Sequence, residues 1–267
     1  MCLAVIAIDA HPRYAVVIAA NRDEFHARAA RPAHWWRDAE GSPMLAGRDL
    51  EQGGTWLGVT RTGRWGFVTN VREPGRRDPR APSRGALVPT LLRDRRVPIE
   101  AVATAVANAH GYNGFNLVGG EGPRAAFGSN RGTPAVQLRG GIHGVSNAQL
   151  DTPWPKLVRA KAGLAAWAAR ASDDLDPLWT VLGDRTLARD DELPDTGLVR
   201  ERERMLSSPF IIGDDYGTRC STLLALARDG EARFIERSFD AGGATTGEVA
   251  FRFDLQPTTS LSAAQVP

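Results

Sequence analysis

Lysine is almost absent from this chain of 267 residues: of its 33 basic residues, only Lys156 and Lys161 are lysines and the other 31 are arginines. Codon bias is the first explanation of that skew, and an arginine-built phosphate or carboxylate site is the second. Cysteine is equally scarce. Cys2 and Cys220 cannot staple a small secreted fold, so the chain must rely on a buried core. No apolar run reaches the roughly 18 residues that a membrane-crossing helix needs, which excludes a membrane span. A dominant charge is missing too: 33 basic residues against 31 acidic ones leave a net +2, with no general pull toward nucleic acid or a membrane surface. The N-terminus lacks the basic start and cleavage site of a secretory signal; Met1–Ile8 is apolar, stops at Asp9 and reads as a buried strand. A cytoplasmic location is the expectation.

What is present is ordinary for a globular domain, with 42% hydrophobic and 24% charged residues. The length allows one domain or two; with no repeat and no clear linker, one domain over 1–255 with a frayed polar tail over 256–267 is expected. Apolar, β-branched runs predict strands at Leu3–Ile8 and Tyr14–Ala20, then at Thr55–Thr60 and Arg64–Asn70 around a Thr62-Gly63 turn. Phe25–Gln52 between these pairs is rich in Pro, Trp and Arg and reads as an ordered surface loop. After a Pro/Arg stretch at Pro74–Ser83, helical spacing predicts helices at Gly85–Arg93, Ile99–Ala109, Trp154–Ala171 and Pro177–Gly183. Further strands are predicted at Phe115–Val118, Ala125–Phe127, Ala135–Leu138, Ile142–Val145, Cys220–Ala227, Arg233–Ser238 and Glu248–Asp254, with Thr186–Ser208 irregular. Strands outnumber helices, a pattern that fits sheets with helices packed outside them.

Chemistry centres on Cys2. Once Met1 is removed, that residue carries a thiol and an α-amine whose pKa near ~7.7–8.0 suits it to take the thiol's proton. By position alone, Cys2 also reads as a small apolar residue of a buried strand. Asn21-Arg22-Asp23-Glu24 follows the second apolar run and is either a turn or a catalytic segment. In the second case Asp23 holds the Cys2 amine and Arg22 favours the thiolate. Asn70 and Asn147 end apolar runs, where asparagine serves turns or donates to an oxyanion. Arg219 opens another run and alone reads as a solvated end. Trp35, Trp36 and Trp56 are first packing residues; Trp35 and Trp36 are also candidate walls of a hydrophobic ligand pocket. His11, His26, His34, His110 and His143 show no metal-ligand spacing and read as surface residues, Cys220 reads as core, and no metal is expected.

Taken together these segments resemble one family. The N-terminal Met-Cys, Ala20-Asn21-Arg22-Asp23-Glu24-Phe25, Gly53-Gly54-Thr55-Trp56-Leu57-Gly58, Tyr112-Asn113-Gly114-Phe115-Asn116-Leu117, Ser146-Asn147-Ala148, Thr152-Pro153-Trp154-Pro155-Lys156 and Gly217-Thr218-Arg219 follow the order of the NRDE family, which includes the transport and Golgi organisation protein 2 homologues. That family is similar to the N-terminal nucleophile (Ntn) hydrolases, and most of all to the choloylglycine hydrolase and penicillin V acylase branch. The resemblance implies an α+β fold, a four-layer αββα sandwich, and an N-terminal cysteine hydrolase cleaving a linear amide or an acyl ester or thioester. It assigns Cys2 as nucleophile, Asp23 as holder of its amine, Asn70 and Asn147 to the oxyanion and Arg219 as completing the site. One position departs: the branch's first Arg falls on Ala20, so Arg22 either substitutes from another direction or does not touch Cys2. The resemblance also implies a second reading, a haem or acyl-ligand trafficking protein on the same scaffold. Covalent haem is excluded by the lack of a Cys-x-x-Cys-His motif; bound haem would need an axial ligand or Arg–propionate pairs. Otherwise no cofactor is expected, and the partner is a small-molecule substrate.

Overall fold

Every side chain of Leu3–Ile8 is buried, which only a strand covered on both faces can achieve. The computed structural model describes residues 3–132 and 134–257 and shows what covers it. In chain order the strands are β1 (Leu3–Ile8), β2 (Tyr14–Phe25), β3 (Ala30–Arg37), β4 (Pro43–Asp49), β5 (Leu57–Val59), β6 (Arg64–Asn70) and β7 (Phe115–Glu121). They continue as β8 (Arg124–Ser129), β9 (Val136–Leu138), β10 (Gly141–Val145), β11 (Tyr216–Ala227), β12 (Glu231–Phe239) and β13 (Thr245–Asp254). The helices are α1 (Leu87–Arg93), α2 (Pro98–Ala107), α3 (Pro155–Ala169), α4 (Pro177–Leu182) and α5 (Arg200–Met205).

One antiparallel sheet has the order β10-β1-β2-β11-β12-β13 and the other runs β3 to β9 in sequence. Between them lies a core that includes Ile6, Ile18, Leu45, Trp65, Phe67, Phe127, Leu224 and Phe234. Leu157, Ala160 and Leu164 of α3, with Leu178 and Leu182 of α4, pack on Leu3, Val5, Val17 and Leu223 outside the first sheet. Leu87, Leu91 and Val102 of α1 and α2 pack on Met44, Val68 and Leu117 outside the second. The layers therefore run helix, sheet, sheet, helix: the αββα sandwich of an α+β fold. No helix among the described residues is long and apolar enough to cross a membrane.

Three expectations are corrected. Phe25–Gln52 is not a loop: β3 and β4 form a hairpin across it, Trp35 opposite Leu45 and Trp36 opposite Met44. β3 is an edge strand with only Ala33 and Trp36 buried and Arg31, Pro32 and Arg37 exposed, so no long apolar run marks it. Thr186–Ser208 contains α5 and a short 3₁₀ turn at Asp190–Glu192, joined by Arg204 forking onto Asp190 at 2.6 and 2.8 Å. His11 is no surface residue. It is 2% exposed and stacks on Trp167 at 4.7 Å, its Nδ1 accepting from the backbone N–H groups of Arg13 and Tyr14.

Candidate active site

β2 does not end where its apolar run ends at Ala20; it continues paired with β11 through Phe25, with one register shift between Thr218 and Cys220. Alternation along the strand then sends its polar residues to opposite faces. Val17 and Ala19 face the α3–α4 layer, and so do Asn21 and Asp23. Asn21 donates to the carbonyls of Leu182 and Pro209 at 2.8 and 2.9 Å and accepts from Ser221 Oγ at 2.6 Å, so it ties β2 to the end of α4 and to the segment before β11. Asp23 is 2% exposed; its Oδ1 accepts from Thr218 Oγ1 at 2.6 Å, while that hydroxyl accepts from the Ile211 N–H at 2.9 Å. Arg22 turns the other way. It lies between the sheets, 5% exposed, with its guanidinium 4.4 Å from the Trp56 ring centroid.

Below Arg22, β11 and β12 place Cys220 and Glu236. Cys220 is buried in the core; burial, reinforced by the Glu236 charge, pushes its thiol well up, which makes it a poor nucleophile. Burial raises the Glu236 carboxyl too, against the Ala33 N–H at 2.8 Å and the Thr222 hydroxyl at 3.2 Å that bond it.

The strand ends open into a cleft of two adjoining recesses, about 380 and 440 Å³. Arg22 and Trp56 line the first, Asp23 lines the second, and Asn70 at the end of β6 lines both. Asn147 fixes Asn70 from behind, its Nδ2 donating to the Asn70 carbonyl at 2.9 Å, while its own carbonyl accepts from the Arg72 N–H at 2.7 Å. The segment 71–85 forms the outer wall. Its return depends on Gly54 and Gly85: a Cβ on Gly54 would lie 2.5 Å from the Gly85 backbone, and the Thr55 N–H donates to the Gly85 carbonyl at 3.1 Å.

Ion pairs hold this wall. Arg72 is bonded to Glu203, with side chains 9% and 3% exposed, and stacks 4.7 Å from Trp154. Glu73 accepts from the Gly114 N–H at 2.8 Å and from the Arg131 guanidinium at 2.8 and 3.1 Å. Burial alone would raise the Glu73 carboxyl, but Arg131 and the Gly114 N–H outweigh it and hold it below the ordinary carboxylate range. Because the folded state favours the ionised form, this stabilisation is present above the unfolded value near ~4.3 and is lost as pH falls through the folded value. Urea melts should show Glu73→Gln less stable than wild type by about 1–2 kcal/mol at neutral pH, the gap closing below about pH 4. An unchanging gap would show that charge plays no part.

The positions assigned from sequence divide accordingly. Asp23, Asn70, Arg22 and Trp56 line the cleft, and Asn147 braces it. Arg219 lines neither recess: its Nη1 donates to the carbonyls of Phe25, His26 and Arg28 at 2.8, 3.0 and 3.1 Å and secures the turn after β2. Trp35 packs edge-on to Phe253 at 5.2 Å and Trp36 donates to the Ala46 carbonyl at 3.0 Å, both away from the cleft. Cys2 lies outside the described residues; its chain neighbour Leu3 opens β1 and pairs with Asn21, two residues before Asp23. Sequence reading missed Thr218, although it singled out the Gly217-Thr218-Arg219 segment that holds it. It also missed Arg77, Arg84 and Asn113, which lie in both recess walls.

The layer order and strand topology define a class of protein, the Ntn hydrolase scaffold. The Caenorhabditis elegans N-acylethanolamine-hydrolyzing acid amidase ortholog superposes with a TM-score of 0.52 at 14% identity, covering 84% of this chain and 92% of that one. A variant of the conjugated bile acid hydrolase from Clostridium perfringens superposes with a TM-score of 0.51 at 8% identity, covering 96% and 92%. Sequence gives the closer kinship. The Transport and Golgi organisation 2 profile matches residues 1–241, and the mouse Transport and Golgi organization 2 homolog is 33% identical over 260 residues, covering 89% of this chain and 93% of its own. The chain belongs to the Transport and Golgi organisation 2 family.

Proposed function

We propose that this protein is an N-terminal cysteine hydrolase that cleaves a linear amide, or an acyl ester or thioester, in the cleft beside Asp23. The observation that carries the proposal is the buried Asp23 carboxylate, held by Thr218 at a recess wall and two residues from the strand partner of Leu3. A carboxylate there suits an α-ammonium or amine on the residue preceding Leu3, and it orients that amine as a base. In the proposed reaction the Cys2 amine takes the thiol proton and Sγ attacks the carbonyl carbon. The oxyanion is met by the Asn70 amide, with Asn147 as the residue that holds Asn70 in place. The carbon–nitrogen bond then breaks as the amine leaves with a proton, and water hydrolyses the thioester to release the acid. Arg22 adds positive charge from the opposite face of β2, which favours the thiolate. The two superposed proteins are named for an acid amidase and a bile acid hydrolase, which supports the same reading.

The test uses protein whose mass shows a chain starting at Cys2, assayed on a panel of linear N-acyl amides. Asp23→Asn should lower kcat by about 10²–10⁴-fold, with thermal unfolding within a few degrees of wild type. Full activity in Asp23→Asn would sink the mechanism. Saturable binding of acyl compounds without turnover in wild type would put the ligand-carrier reading in its place.

A further inference from the structure

The loop that leads from β10 to α3 meets the cleft at one end and is fastened at the other. At the cleft, Asn147 donates to the Asn70 carbonyl at 2.9 Å, and its own carbonyl accepts from the Arg72 N–H at 2.7 Å. The base of the loop is closed by one residue, Asp151. Its N–H donates to the Gly144 carbonyl at 2.8 Å, and the Gly144 N–H donates back to Asp151 Oδ1 at 2.8 Å. The Lys161 ammonium on α3 reaches the same oxygen at 2.5 Å, and His143 Nδ1 lies 3.2 Å from Oδ2. Asp151 adopts a left-handed backbone with φ +56°, which aspartate tolerates because its short side chain bonds locally.

His143 makes this clasp depend on pH. Its other ring nitrogen, Nε2, lies 2.8 Å from the Arg139 carbonyl oxygen. A carbonyl and an ionised carboxylate only accept hydrogen bonds, so both contacts form together only when both ring nitrogens carry protons. A neutral ring must give up one of them. The charged side chains facing the ring are Asp151 from the loop and Lys161 from α3, and Ile6 is its partner on β1. The Asp151 carboxylate, with help from the Arg139 carbonyl, holds His143 above the ordinary histidine value, against burial and the Lys161 charge.

We infer that Asp151 is a positioning residue of the candidate active site: it fastens the 146–151 loop so that Asn147 holds Asn70 in place, and the fastening is complete only while His143 is protonated. This rests on the hydrolase reading for the use made of Asn70, but not for the clasp itself. Because the folded state favours the imidazolium, the clasp is complete below the unfolded value near ~6.5 and loosens as pH rises through the folded value.

The test combines turnover of a linear N-acyl amide with an NMR titration. His143→Gln stands for the neutral ring at every pH, since its amide donates to Asp151 without a charge. Wild-type kcat should exceed that of His143→Gln by about three- to tenfold near pH 5.5, and the two should converge above about pH 8.5, since both share Cys2 and its amine. The Asn147 side-chain amide resonance should move with the titration of the His143 ring in wild type and not in His143→Gln. Asp151→Asn, which suits the same backbone, should return the His143 midpoint toward ~6.5 and lower kcat near pH 5.5 to the His143→Gln level. His110→Gln, exposed beyond the end of α2, should change neither readout. A rate ratio that does not vary with pH, or an Asn147 amide unaffected by the His143 titration, overturns the inference. If the wild-type protein cleaves no amide, the hydrolase reading falls alone, and the Asn147 resonance decides the clasp.

Discussion

Cys2→Ala is expected to lower hydrolysis of a linear N-acyl amide by about a thousandfold or more, leaving the thermal unfolding temperature within a few degrees of wild type. The magnitude follows from what is removed. Alanine keeps the α-amine and so leaves a base beside Asp23, but no atom remains to form the thioester. Cys2→Ser keeps a nucleophile of much higher pKa and should retain more activity than alanine while falling well below wild type. Cys220 cannot stand in, because it is buried with its thiol pushed up. Rates are to be compared on protein of verified N-terminus, together with a form carrying one additional residue before Cys2, in which the amine becomes an amide and activity should fall to the alanine level. Wild-type rates in Cys2→Ala would end the nucleophile assignment.

Trp65→Ala is expected to cost about 3–5 kcal/mol of folding stability. Trp65 is 0% exposed between the two sheets, and its Nε1 donates to the Gly122 carbonyl at 3.1 Å. Its ring occupies the space where β7 offers no side chain: a Cβ on Gly120 would lie 2.3 Å from it. Removing the indole therefore leaves a cavity and an unsatisfied carbonyl that neighbouring glycines cannot fill. Urea denaturation of both proteins measures the difference. A loss below about 1 kcal/mol would mean that the sheets close over the gap, and that their separation is not set by this residue.

The sandwich was largely legible because its strands carry their burial in their composition. Leu3–Ile8 is apolar throughout because both of its faces are covered, and Arg64–Asn70 is a strand with the predicted limits. Legibility fails where burial is one-sided or polar. The β3–β4 hairpin was hidden because an edge strand with two buried side chains has no apolar run to display. The last five residues of β2 were hidden because Asn21, Arg22 and Asp23 are buried by hydrogen bonds and a stacked tryptophan rather than by apolar character.

The same distinction governs the candidate site. Sequence alone determined the layers, the family and the presence of a cysteine, an aspartate and two asparagines in an order that suits an N-terminal nucleophile. Only the tertiary structure decided which groups meet. It set Thr218 rather than Arg219 against Asp23, because a shift in the β2–β11 register follows Thr218 and hydroxyl and carboxylate face the same layer. It also separated Arg22 from Asp23, since adjacent residues of a strand point to opposite faces, and thereby set Arg22 in the wall of one recess and Asp23 in the wall of the other. Part of the arginine excess that composition could only count comes to line the cleft because chain returns at Gly54, Gly85 and Asn113 bring residues 71–85 over the strand ends. Contacts of that kind join residues dozens of positions apart, and no local pattern of residues records them.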